Sequence, residues 1–230
     1  MKRVDAAWFT DHVASTKMNA WRGVEDQHMA STLRLVDSFA EQDVLEQLLE
    51  GSKPPLPAVP PGQHYLLFTP FRYRPPFGSR FRQSGAMGVW YGAQSVQTAA
   101  AEVAYWRWRF LMDSPGLVQE TLITRHTFFQ ARVEGSCVNL LTPPWRALQA
   151  QWAHPTDYTA TQTLAQAALA HEVQWIRYAS VRDRGGVCAA VLTPHALSMP
   201  RTVTQQKWLC KVTRERVMMS TEGLQLMWDF

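Results

Sequence analysis

The stretch SKPPLPAVPPGQ places Pro54, Pro55, Pro57, Pro60 and Pro61 within a dozen residues. Each proline fixes φ and removes a backbone donor, so this density forbids both helix and central strand and leaves an extended linker. A boundary near residue 62 follows. Before it, helix is expected through the first fifty residues. Leu35 and Phe39 lie one turn apart, and Val44, Leu45, Leu48 and Leu49 repeat at helical spacing. Ser38 with Glu41 has the spacing of a capping box, and Gly51 suits a helix end. Residues 1–62 thus read as a helical extension plus linker, and 63–230 as the main body.

Beyond the linker, strand-like and helix-like segments mix. HYLLFTPF, GVWYGA, TLITRHTFFQARV, CVNLLT, VQWIRYASV, GVCAAVLT and QKWLCKVTRERVMM read as strands. FGSRFRQSGAMG reads as a polar loop, and RDRGG as the turn of a hairpin. Ser95 caps a helix running through QTAAAEVAYWRWRFLM, with Ala99, Val103, Trp106 and Phe110 on one expected core face. A second helix, TATQTLAQAALAHE, follows Asp157. Because the strands do not alternate regularly with helices, an α+β fold is expected, with a mixed sheet flanked by helices.

With 46% hydrophobic residues the chain can build a real core. A net charge of +4 and a pI near 9.1 suit an anionic small molecule or an acidic partner, but no basic cluster argues for nucleic acid. Cys137, Cys188 and Cys210 are an odd set without CxxC spacing, which points to reduced, buried thiols rather than disulfides or zinc. His12, His28, His64, His126, His154, His171 and His195 form no spaced pair for a metal. The N-terminus lacks the apolar stretch of a signal peptide, and no run is long enough for a membrane span, so the expected location is the cytoplasm.

Four side chains could carry chemistry. Glu102 sits mid-helix beside the apolar stripe, either as a half-buried partner of Arg107 or Arg109 or as a carboxylate held at a cleft. Arg80 and Arg82 lie in a loop between Gly78 and Gly85, either solvated or poised for phosphate. Tyr91 ends a strand, where it serves the core or stacks on a heterocycle. Ser180 enters the Gly-Gly turn, where most serines bond only local backbone.

Taken in order, these residues resemble a known family. FRYRPPFGSRFRQSGAMGVWYGAQSVQTAAAEVAYWR, followed by WIRYASVRDRGG, is similar to the RES domain family, named for an arginine, a glutamate and a serine. Here Arg80, Glu102 and Ser180 match, with Tyr91 eleven positions before the glutamate. The resemblance covers roughly residues 65 to 193. It implies an ADP-ribosyltransferase-like fold, NAD as substrate and an Xre-type antitoxin as partner, with nucleic acid reached only through that antitoxin. It also implies roles. Glu102 would stabilise the cation that develops as nicotinamide leaves, and Arg80, helped by Arg82, would hold the pyrophosphate. Tyr91 would stack on nicotinamide, and Ser180 would orient the ribose or the acceptor. Water, inorganic phosphate or a protein could be that acceptor. No metal is required. The family often reads Gly-Arg-Trp-Asn where this chain has Ser79-Arg80-Phe81-Arg82, so either arginine could fill the phosphate role, with Arg80 the better match. Cys188 stands where the family commonly has asparagine.

Two readings of other classes compete. A non-catalytic or nucleic-acid-binding module would interleave aromatic and basic residues on one sheet, and only YWRWRF at 105–110 does so, on a helix. A cysteine hydrolase would need Cys188, His195 and an orienting acid that is not evident.

Overall fold

A computed structural model of the chain describes residues 4–26, 35–202 and 204–230. Helix α1 (Ala7–Asp11) leads into strand β1 (Val13–Glu25), and helices α2 (Phe39–Ser52) and α3 (Tyr65–Arg72) precede strand β2 (Trp90–Ala93). Helix α4 (Val96–Met112) connects to strand β3 (Leu122–Asn139), and the short α5 (Gln149–Trp152) and α6 (Thr159–Ala170) follow. The chain closes with β4 (Trp175–Ala179), β5 (Val187–Val191), β6 (Leu197–Ser198), β7 (Gln205–Val212), β8 (Arg216–Thr221) and β9 (Leu224–Asp229).

Among the described residues the strand order is β1-β2-β5-β4-β3-β7-β8-β9, with β6 set against β3. The β3–β4 pairing is parallel and the others are antiparallel, giving the mixed sheet expected of an α+β fold. Strand β1 also pairs with β3 along its whole length, from Val13 opposite Val138 to Glu25 opposite His126. That pairing closes β1, β2, β5, β4 and β3 into a ring, while β7, β8 and β9 extend from the first half of β3.

Successive residues of a strand point to opposite faces, and β3 shows the consequence. Phe128 is buried in a core beneath α4 with Ile176, Leu192 and Trp208. Its neighbour Phe129 is buried in a second core with Leu67 and Phe71 of α3, Trp90 and Trp175. Both phenylalanines are fully inaccessible. Gly88, at the entry to β2, lets α3 lie close: a Cβ there would come within 1.8 Å of the Pro70 carbonyl oxygen.

Several sequence expectations change. Residues 13–25 form strand rather than helix, and β1 is a full member of the sheet rather than part of a separate helical extension. The helical spacing noted before the linker belongs to α2 alone, whose Ser38 cap accepts from the Glu41 N–H at 3.2 Å. Leu35 stands outside it, α2 runs one residue past Gly51, and the expected helix across 1–3 and 27–34 lies outside the described residues. HYLLFTPF forms α3 rather than a strand. The His64 ring caps the Leu66 N–H, and Leu67 and Phe71, four residues apart, are both buried. TLITRHTFFQARV and CVNLLT are one continuous strand, and QKWLCKVTRERVMM is two, followed by the unforeseen β9.

Candidate active site

Helix α4 starts at Ser95, whose hydroxyl accepts from the Thr98 N–H at 3.0 Å. Its packed face is mostly alanine, with Ala99, Ala100, Ala101 and Ala104 all buried, so the helix lies close against the sheet. Glu102 projects from the flank of that face into a cleft of about 440 Å³, also lined by Trp21, Arg80, Tyr91, Tyr158 and Arg182. The ion pairs that could have explained Glu102 are absent. Arg107 pairs with Glu25 at 2.7 Å, and Arg109 with Asp113 at 2.8 Å. Glu102 Oε1 accepts from Ser180 Oγ at 2.6 Å and from the Cys188 thiol at 3.9 Å. Among the described residues, Oε2 accepts from no protein donor. Burial pushes the Glu102 pKa up, opposed in turn by the Ser180 bond, the charges of Arg182 and Arg80, and Cys188.

Ser180 stands behind the carboxylate rather than on the cleft wall. It ends β4 and opens the turn to β5, with its N–H bonded to the Gly186 carbonyl at 2.9 Å. Its single hydroxyl proton goes to Glu102, and its oxygen accepts from the N–H groups of Arg182 and Asp183 at 3.1 and 3.0 Å. That uses the full bonding capacity of a hydroxyl. In this arrangement the Ser180 hydroxyl meets Glu102 and the turn backbone, not the cleft where a ribose or acceptor was expected to contact it. A second latch fixes the same turn. Asp183 accepts from Thr98 Oγ1 at 2.6 Å, in the first turn of the helix that carries Glu102.

The loop before β2 separates the two candidate arginines. Ser79 and Arg82 bond each other through their backbones, at 2.7 and 3.1 Å. Arg80 is 8% exposed and lines the cleft. Its Nη1 donates to the carbonyls of Trp152 and His154 at 3.0 and 2.9 Å, and its guanidinium lies 4.7 Å from the Tyr158 ring centre. Arg82 turns back to the carbonyls of Pro75 and Phe77, at 3.1 and 2.7 Å, and does not line the cleft. Tyr91 contributes to the cleft wall, but its hydroxyl is committed to the loop, meeting Ser79 Oγ at 2.8 Å and the Phe81 N–H at 3.0 Å. Burial raises its pKa, which keeps the phenol neutral.

The structure also places residues in the cleft that the sequence did not single out. Arg182 lies with its guanidinium 3.4 Å from the Tyr105 ring centre. Its only signal was its position two residues after Ser180. Trp106, expected in the core, is 49% exposed and lines the cleft one turn beyond Glu102. The cysteine-hydrolase arrangement is not assembled. The Cys188 thiol faces Glu102, burial pushes its pKa up, and His195 is engaged by Thr193. The arginines of the YWRWRF patch are both ion-paired. Among the described residues, which exclude His28, no group of three or more His, Cys, Asp and Glu could hold a metal. No described helix is long and apolar enough to cross a membrane.

A family model, the RES domain, matches residues 55–212, and Arg80, Tyr91, Glu102 and Ser180 all fall within that span. The chain belongs to the RES domain family. Among solved structures, a chain of the crystal structure of the M. tuberculosis MbcT-MbcA toxin-antitoxin complex is similar in fold. Its TM-score is 0.52, with 14% identity over 91% of this chain and 92% of that chain. A search of curated proteins finds no match. Strand β1 precedes the RES span yet completes the ring of strands that supports the RES site.

Proposed function

We propose that this RES-domain protein cleaves the bond between nicotinamide and ribose in NAD. The observation that carries the reading is Glu102: a partly buried carboxylate with one oxygen held by Ser180 and the other turned to a cleft shared with Arg80. In NAD the nicotinamide is a cationic leaving group. As the bond from its ring nitrogen to the anomeric carbon breaks, the electron pair stays with the departing ring, which leaves neutral. Positive charge then develops on the ribose. A preorganised carboxylate in a site of low dielectric opposes that charge, as carboxylates do in glycoside cleavage. Arg80 would hold the diphosphate, its Nη1 fixed by two carbonyls so that the rest of the guanidinium can meet the ligand. Tyr91 would hold the Arg80 loop in place and contribute its ring to the wall.

An oxygen of the acceptor closes the reaction at the anomeric carbon. Water gives ADP-ribose and releases a proton, and inorganic phosphate gives the 1-phosphate of ADP-ribose. The mixed sheet with flanking helices is compatible with an ADP-ribosyltransferase-like ancestry, and transfer to a protein acceptor is the competing outcome. An enzyme that drains NAD endangers its own cell, so the proposal includes an inhibitory partner, an Xre-type antitoxin, over the Arg80 loop. The deciding experiment incubates purified protein with NAD, with and without phosphate, and weighs the products. Free nicotinamide with ADP-ribose or its 1-phosphate is expected. Intact NAD after hours at neutral pH refutes the reading, and mass added to protein favours the transferase.

A further inference from the structure

Two guanidiniums of the cleft are tied to one short segment. Arg80 donates to the carbonyls of Trp152 and His154, and Arg182 Nη2 donates to the carbonyl of Pro155 at 2.7 Å. The segment is itself braced. Trp152 is 3% exposed with its indole N–H on the Trp145 carbonyl at 2.8 Å, and the His154 ring accepts the Asp157 N–H at 2.7 Å. Arg182 is further fixed by its stack on Tyr105 and by the turn that Ser180 and Asp183 latch to α4. Among the described residues, Nε and Nη2 of Arg80, and Nε and Nη1 of Arg182, donate to no protein acceptor.

The charges around these arginines do not balance. Glu25 and Arg107, also on the cleft wall, neutralise each other, which leaves Glu102 as the one carboxylate on a wall with three further cations, Arg22, Arg80 and Arg182. Of these, Arg182 and Arg80 act on Glu102, Arg182 more strongly. Partly desolvated guanidiniums with unused N–H edges turned to a cleft are ready donors for an anion. A single phosphate could be held by one fork. Two forks held by a common segment suit two linked phosphates.

We propose that Arg80 and Arg182, positioned together by Trp152–Pro155, form a two-armed clamp for a diphosphate bridge, and that Arg182 makes the cleft selective for dinucleotides over mononucleotides and nucleosides. This rests on the NAD reading and extends it, since it assigns the second phosphate contact to Arg182 in place of Arg82. The loss of one clamp arm removes charge-assisted hydrogen bonds, which corresponds to about 10- to 100-fold in affinity.

The test compares wild type with Arg182→Met, which removes the charge but keeps an apolar stem over Tyr105, and with Arg182→Lys, which keeps the charge but not the fork. Arg184→Ala, an exposed arginine on the same turn, serves as control. Each is assayed on NAD, nicotinamide mononucleotide and nicotinamide riboside, and ADP-ribose binding is measured by calorimetry. Arg182→Met is expected to raise the KM for NAD by about 10- to 100-fold, the KM for the mononucleotide by less, and the KM for the riboside not at all. Arg182→Lys should fall between, and Arg184→Ala should match wild type. An equal loss of kcat on all three substrates, or a pH-rate profile displaced with KM unchanged, would overturn the clamp and make Arg182 a positioning residue for Glu102. ADP-ribose binding separates the two proposals. If wild type cleaves nothing yet binds ADP-ribose in an Arg182-dependent way, the clamp stands and the cleavage reading falls. Cleavage with ADP-ribose affinity indifferent to Arg182 does the reverse.

Discussion

Replacing Glu102 by glutamine should separate activity from stability in opposite directions. The amide keeps the shape of the side chain, and its oxygen can still accept from Ser180 Oγ, now 2.6 Å from Oε1. What it lacks is charge to oppose a developing cation. Losing one preorganised electrostatic contact of this kind costs about 100- to 1,000-fold in turnover, or about 2.7–4 kcal/mol. Stability should move the other way. Burial raises the Glu102 pKa in the folded state, so folding favours the protonated form. The stabilisation from this group is then fully present below the unfolded pKa and is lost as pH rises through the higher folded pKa. Glutamine does not titrate. Glu102→Gln should therefore match wild type in acid and unfold at an equal or higher temperature as pH rises past the raised pKa. Nicotinamide release and thermal unfolding, measured on one preparation at several pH values, provide the assay. A folded variant with near-normal turnover would refute the catalytic role. A variant less stable at every pH, with activity lost only in step with folded protein, would return Glu102 to a structural one.

Arg80→Ala should weaken NAD binding by about 10- to 100-fold, since it removes charge-assisted bonds, while Arg82→Ala should do less and mainly loosen the loop at Pro75 and Phe77. Calorimetric titration with NAD checks the ranking, and the reverse order would reassign the phosphate ligand. Ser180→Ala removes the bond that most opposes the effect of burial on Glu102, so its pKa should rise further and the acid limb of the pH-rate profile should move to higher pH. Recovery of most turnover at alkaline pH is the expected signature, and an unmoved limb would sink the positioning role.

The site was legible where chemistry is carried by polar residues in locally determined structure. Ser95 caps its helix and so fixes the phase of Glu102, and the RDRGG turn places Ser180 at the end of β4. What the sequence left open depends on distant partners. Strand β1 exists because a strand more than a hundred residues later pairs with it from Val13 to Glu25, and no local period announces that. The eight residues of α3 are too short an apolar run for periodicity to separate helix from strand. Arg80 and Arg82 have equivalent neighbours in sequence, and only the fold of the Ser79–Arg82 turn sends one to the cleft and the other back to its own loop.

The misreading of α4 has a physical cause that bears on the site itself. Hydrophobicity ranks Trp106 and Phe110 above alanine, so the stripe Ala99, Val103, Trp106, Phe110 looks like the core face. Ala99 of that stripe is buried as expected, but the inward face continues through Ala100, Ala101, Ala104 and Leu111, and Trp106 and Phe110 are each 49% exposed. Small residues on that face let the helix axis lie close to the sheet. Closeness brings Thr98 within 2.6 Å of Asp183 and Glu102 within 2.6 Å of Ser180. A tryptophan turned to the sheet would hold the helix away and break both contacts. The alanines thus set the reach of the carboxylate, and the aromatic side chains they displace are left on the outer flank, where Trp106 forms part of the cleft wall beside Glu102.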